Sequence, residues 1–134
     1  GEQSREWIHV ADHCEAILTA LEHGANGEVY NAGDDNERTN REIVRILLEE
    51  TGRDETCIRS IPDPRQGAHD HRYRMETGKL RALGWQPTRD FELELRATVR
   101  WYRENEAWWL PLVQDPTYQA FVASFYGTAL GSDL

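Results

Sequence analysis

Arg5-Glu6-Trp7-Ile8-His9-Val10-Ala11-Asp12-His13 is where the chain declares its fold class. Trp7 is aromatic, and Ile8 and Val10 are β-branched, so residues 5–10 read as a short strand. Asp12 is placed to cap a helix that runs to about His23. Cys14, Ile17, Leu18 and Leu21 repeat at i, i+3, i+4 and i+7, the spacing of one buried helical face. Gly24 then supplies a stop. A strand leading directly into an amphipathic helix is an α/β opening.

The same alternation continues downstream. Gly27–Ala32 (GEVYNA) reads as a second strand, and 33–36 as a polar turn. Thr39-Asn40-Arg41-Glu42 has the capping-box pattern, in which residue 39 and residue 42 satisfy each other's backbone amides. It opens a helix that buries Ile43, Val44, Ile46, Leu47 and Leu48 and ends at Gly52. Cys57–Ile61 reads as a third strand, and Pro62 and Pro64 force an extended exit. Residues 65–73 form a loop rich in Arg and His. A short helix over 77–83 stops at Gly84, followed by a turn at Trp85-Gln86-Pro87. Phe91, Leu95, Val99 and Tyr102 mark a longer helix, interrupted by Trp108, Trp109, Leu110 and Pro111. Asp115-Pro116 starts a last helix carrying Tyr118, Phe121, Val122 and Phe125, which Gly127 ends. Three short strands make a poor sheet alone. The fold class is therefore α/β, and the poor sheet is a first hint that part of the structure is missing.

At 134 residues the chain is one domain's worth, with residues 1–4 and 131–134 expected to be flexible. The net charge is −9, which disfavours nucleic acid as a partner. No apolar run approaches the roughly 18 residues of a membrane span. The two cysteines, Cys14 and Cys57, are too few and too far apart for a disulfide scaffold or a zinc site, and read as reduced, buried residues. These features point to the cytoplasm.

No G-x-G-x-x-G, P-loop or G-x-S-x-G is present. Of the fifteen basic residues fourteen are arginine, and the residue four before the lone Lys79 is Met75, so no Tyr-x-x-x-Lys pair exists in the chain. The carboxylate pairs read as solvated surface. His9 and His13, or His69-Asp70-His71, are weak metal candidates, and no metal site is expected. Arg5, Arg65, Arg72 and Arg74 are candidates for an anion, because guanidinium forks match phosphate oxygens. Asn40 sits in the first turn of a helix whose N-terminus is electropositive. Equally, these arginines are candidates to pair with the chain's own carboxylates.

Taken together, several stretches resemble the dTDP-glucose 4,6-dehydratases. Residues 5–13 resemble that family's R-[DE]-W-[LI]-[YH]-V-x-D-H stretch, and Gly27-Glu28-x-Tyr30-Asn31-x-Gly33 resembles its G-E-x-Y-N-I-G. Arg65-Gln66-Gly67-Ala68-His69-Asp70-His71-Arg72-Tyr73 resembles its R-P-G-H-D-R-R-Y loop. Leu83-Gly84-Trp85-x-Pro87, Trp101-Tyr102 and Trp108-Trp109 resemble its closing segments. The resemblance implies the C-terminal lobe of an extended Rossmann-type dehydrogenase, with the cofactor-domain sheet absent, so that strand 27–32, left without its neighbours, is expected to expose an edge and cause self-association or altered local structure. It implies a nucleotide-diphosphate sugar, dTDP-glucose first, as ligand of Arg5, Asn40, Arg65, Gly67 and His69. It implies NAD in the intact enzyme and none on this chain alone, no catalytic residue here, and a homo-oligomer. Gln66 and Ala68 depart from the family loop, which leaves base and sugar open. A stand-alone binding or interaction module without catalysis, or the lobe of a related epimerase, is the alternative.

Overall fold

A computed structural model describes residues 1–60 and 70–130, with side chains as far as residue 125. Strand β1 (Ser4–Glu6) pairs antiparallel with β2 (Glu37–Thr39), Ser4 opposite Thr39 and Glu6 opposite Glu37. Helix α1 (Val10–His23) follows β1, and α2 (Asn40–Thr51) continues from β2. A 3-10 turn at Glu55–Cys57, the short α3 (Gly78–Arg81), α4 (Phe91–Glu104), α5 (Glu106–Val113) and α6 (Pro116–Leu130) complete the order. α2 packs along α4, and α1 packs on α3.

Two helix starts show how local chemistry sets the boundaries. The capping box at α2 is present in full: Glu42 N donates to Thr39 Oγ1 at 3.2 Å, and Thr39 N donates to Glu42 Oε2 at 2.8 Å. Gly52 closes that helix at φ 65°, a left-handed conformation that glycine adopts without a Cβ clash. α1 instead begins three residues earlier than its sequence suggests. His9 is its cap, its Nδ1 accepting from Ala11 N at 3.2 Å. Asp12 is thereby freed from capping and turns inward.

That inward turn builds the core. Ala16, Leu80 and Trp85 are buried together, with Ile8, Ala20, Tyr30, Ala32 and Leu83 packed around them. Asp12 is 0% exposed. Its carboxylate accepts from Thr88 N, Thr88 Oγ1 and Arg89 N, each at 3.3 Å, and its backbone carbonyl accepts from the Trp85 indole at 3.1 Å.

Other sequence expectations need correction. Strand 5–10 is shortened to Ser4–Glu6, because His9 and Val10 are taken into the helix start. Gly27–Ala32 forms no strand. No ladder partner reaches it among the described residues; Tyr30 packs on the core, and Asn31 Nδ2 donates to Glu76 O at 3.2 Å. The edge expected there is therefore not formed. The strand at 57–61 is replaced by the 3-10 turn, and Ile61, Pro62 and Pro64 lie outside the described residues. Cys14 and Cys57 are exposed, not buried, because Cys14 lies off the α1 face that carries Ala16. The late break falls at Asn105, with Pro111 accommodated inside α5. Gly127 does not end α6, which runs to Leu130. The first residues, expected to be loose, carry backbone bonds: Arg41 N donates to Gly1 O and Asn40 N to Gln3 O, both at 3.0 Å.

Candidate functional site

β1 lies at the centre of a small polar platform. β2 covers one of its edges, and Ser4 N donates to His71 O at 2.9 Å on the other, where Ser4 bridges in parallel to Arg72. The Arg- and His-rich loop therefore returns to the strand that carries Arg5. Arg65, Gly67 and His69, expected to bind ligand, lie outside the described residues.

The platform sorts the arginines. Arg72 is committed: Nε and Nη2 donate to Glu37 Oε1 and Oε2 at 2.7 and 2.6 Å, a bidentate fork. Ser4 Oγ adds a bond to Glu37 Oε1 at 2.6 Å. The Arg72 fork, then the Ser4 hydroxyl, hold the Glu37 carboxyl down at about 2. Arg74 and Arg81 both pair with Asp35, at 3.2 and 2.9 Å. Arg5 differs. Its Nη1 donates to the carbonyls of Ser4 (2.6 Å) and His71 (3.4 Å), and its guanidinium lies 4.6 Å from the Tyr73 ring centre. Among the described residues it makes no ion pair, so this cation keeps charge to offer.

Asn40 stands at the start of α2, beside β1 in the chain's hydrogen bonding. The helix end itself is closed. Thr39 N and Glu42 N serve the capping box, and Asn40 N and Arg41 N serve Gln3 and Gly1. No first-turn amide is left for an anion, so Asn40 has only its side chain to contribute.

The Glu37 fork predicts a pH effect. A carboxylate depressed in the folded state stabilises above its ordinary value near 4.5, and this contribution fades as pH falls through about 2. Unfolding followed from pH 5 to about 2 is expected to show stability declining in the parent chain. Glu37→Gln is expected to flatten that decline; parallel profiles would contradict the fork.

A second feature escaped sequence reading. A cleft of about 850 Å³ opens between the β1–α1 connection and α4, walled by Trp7, Phe91, Leu95, Trp101 and Trp108. His9 Nε2 and Glu94 Oε2 face each other at 3.6 Å on its wall. Burial, reinforced by the neighbouring Asp12, raises the Asp34 carboxyl there. Its walls are drawn from residues more than 80 positions apart, so no spacing signals it. Neither Arg5 nor Asn40 lines it. Among the described residues no group of His, Cys, Asp or Glu is arranged to hold a metal, and no helix is long and apolar enough to cross a membrane.

The family profile described as GDP-mannose 4,6 dehydratase matches residues 1–98. The chain belongs to this family. Within it, the chain is 45% identical over 113 residues to a dTDP-glucose 4,6-dehydratase of Streptomyces niveus, covering 84% of this chain and 33% of the relative. It is 38% identical to dTDP-glucose 4,6-dehydratase 1 of Escherichia coli K12, covering 94% of this chain and 36% of that one. The fold matches the dTDP-glucose 4,6-dehydratase DesIV of Streptomyces venezuelae, solved with NAD and TYD bound, at a TM-score of 0.78 and 47% identity over 84% of this chain and 34% of that one. The enzyme of Bacillus anthracis, solved with NAD, gives 0.76 and 42%, over 84% and 35%. The chain thus spans about a third of the length of these family members. Their Rossmann-type fold explains why this third holds helices and only a two-stranded sheet.

Proposed function

We propose that the chain is the nucleotide-sugar-binding portion of an NAD-dependent 4,6-dehydratase acting on dTDP-glucose, which yields a 4-keto-6-deoxy sugar nucleotide. The observation that carries the reading is Arg5: an arginine on β1, oriented by two carbonyls and an aromatic ring, with no carboxylate partner among the described residues. Arg5 pairs with diphosphate oxygens, and the Asn40 side chain donates beside it. Arg65, Gly67 and His69 line the nucleotide. Glu37 keeps Arg72 from competing for the ligand and holds the loop's return against β1.

NAD supplies hydride acceptance and return in such an enzyme. In this reading the rest of the enzyme holds it: the sequence has no G-x-G-x-x-G for its phosphates, and the first-turn amides of α2 are taken by the capping box and by Gly1 and Gln3. What these residues do is anchor the remote nucleotide, so that its binding energy positions the sugar. The exposed apolar face of α1, with Val10, Ile17, Leu18 and Leu21, suits cover by the sheet of a cofactor domain. The intact enzyme is a cytoplasmic homo-oligomer in this reading.

Titration with dTDP, UDP, GDP and CDP tests it. dTDP is expected to bind most tightly, and Arg5→Ala to weaken it by about 1.5–3 kcal/mol, the worth of a charge-assisted bond. Arg74→Ala, which removes an arginine already paired to Asp35, is expected to leave binding unchanged. Equal binding by parent and Arg5→Ala would overturn the assignment.

A further inference from the structure

We propose that the cleft between the β1–α1 connection and α4 binds an organic ammonium ion, seated against the rings of Trp101, Tyr102 and Trp108 with Glu94 and Asp34 on the surrounding wall. This goes beyond the reading above, since neither Arg5 nor Asn40 lines the cleft.

The first observation is the arrangement of the rings. Trp101 meets Tyr102 at 5.2 Å with an interplanar angle of 90°, and Trp108 at 5.2 Å with an angle of 72°. Edge-to-face contact sets the ring planes at steep angles, so their faces form a corner rather than a flat stack. The three rings are between 43% and 62% exposed, which leaves their faces open to a guest. Elsewhere the chain covers such faces with its own cations. Arg5 lies over Tyr73, Arg38 over Phe91, Lys79 over Tyr30 and Arg81 over Trp85. Among the described residues, no arginine or lysine lies over Trp101, Tyr102 or Trp108.

The second observation is charge. The lining carries two carboxylates, Asp34 and Glu94. Arg89, its arginine, already faces Asp12 at 3.7 Å and Glu15 at 3.3 Å. His9 stands 3.6 Å from Glu94. With Arg89 set against its own two carboxylates, the surroundings stay negative, in a chain whose net charge is −9. Burial first, and then Asp12, raise the Asp34 carboxyl, the direction expected where positive charge is short.

The walls also select the kind of cation. Hard ions such as calcium or magnesium need several oxygen ligands, and no group of His, Cys, Asp or Glu among the described residues is arranged to hold a metal. Aromatic faces instead attract alkylated ammonium ions, whose charge is spread and weakly hydrated. At about 850 Å³ the cleft has room for such an ion with its substituents.

Choline is the probe, and dimethylbutanol, its neutral isostere with carbon in place of nitrogen, is the control. Proton NMR of the choline N-methyl signal, at an ionic strength fixed with sodium chloride, is expected to show an upfield shift from the ring faces. It should saturate with a Kd on the order of a millimolar. Dimethylbutanol should bind at least about tenfold more weakly. Trp101→Leu keeps apolar bulk but removes a ring, and is expected to weaken choline roughly two- to thirtyfold while leaving dimethylbutanol unchanged. Glu94→Gln should weaken choline at least about twofold. Circular dichroism checks that each variant folds, and Trp108→Leu carries the same expectation as Trp101→Leu. Equal or tighter binding of dimethylbutanol would reveal a merely apolar cleft and overturn the inference. An absent or unsaturable shift in the parent chain would overturn it without any variant. Displacement of choline by dTDP would merge the cleft with the nucleotide site and overturn it as a separate one. Choline binding in a chain that fails to bind dTDP would count against the proposed function and leave this cleft standing.

Discussion

Asp12→Ala is expected to destabilise the chain by about 3–5 kcal/mol, as for loss of one partner in a buried polar cluster. The carboxylate is fully buried and is shared among Thr88 N, Thr88 Oγ1 and Arg89 N. Arg89 Nε stands 3.7 Å from it, and within the described residues this buried nitrogen has no hydrogen bond. Removing the carboxylate strands two backbone amides and leaves Glu15, 3.3 Å from Nη2, to balance that cation. The loss falls where residues 88–89, which lead into α4, are tied to α1. Chemical denaturation of parent and variant measures it. Asp12→Asn keeps one acceptor oxygen and should retain part of the stability. A loss below about 1 kcal/mol in Asp12→Ala would show that water replaces these bonds at little cost.

Trp85→Ala should cost about 3–5 kcal/mol, the range for deleting a large buried aromatic. Trp85 is 4% exposed and packs with Ala16 and Leu80 between α1 and α3. Its indole N–H also donates to the Asp12 carbonyl. The cavity left is lined by Ala16 and Leu80, which are too short to collapse into it. Trp85→Phe restores much of the volume without the N–H and is expected to recover most of the loss. The double variant with Asp12→Ala should lose less than the two single variants together, because both act on one junction. Strict additivity would show that the packing and the carboxylate cluster are independent.

The caps were legible because their chemistry is local. Thr39 and Glu42 need only each other, so the start of α2 can be read within four residues. The apolar face of α2 was equally readable, since Ile43 and Ile46 repeat at helical spacing and are buried. β2 was missed because Glu-Arg-Thr has neither alternation nor apolar residues. What makes it a strand is its pairing with β1, more than 30 positions away. The opposite error occurred at Gly27–Ala32, whose residues favour a strand but find no partner among the described residues. Gly33 explains why the chain must still pass close there: a Cβ would strike the Glu6 carboxylate. That carboxylate accepts from Asp35 N at 2.8 Å and Met75 N at 2.9 Å.

The sequence alone carried the resemblance to the family, the amphipathic helices, the capping box of α2 and a set of arginines as candidates for an anionic ligand. Only the tertiary structure showed which of the described arginines already have carboxylate partners. Arg72 and Arg74 have their carboxylates, from Glu37 and Asp35, while Arg5 rests on carbonyls and a ring. It also decided that Asp12 is buried structure rather than a cap. The physical reason is the same in both cases. Helix propensity and capping are set by neighbours along the chain, whereas the partner of a charge is set by whatever the fold brings within about 4 Å of it.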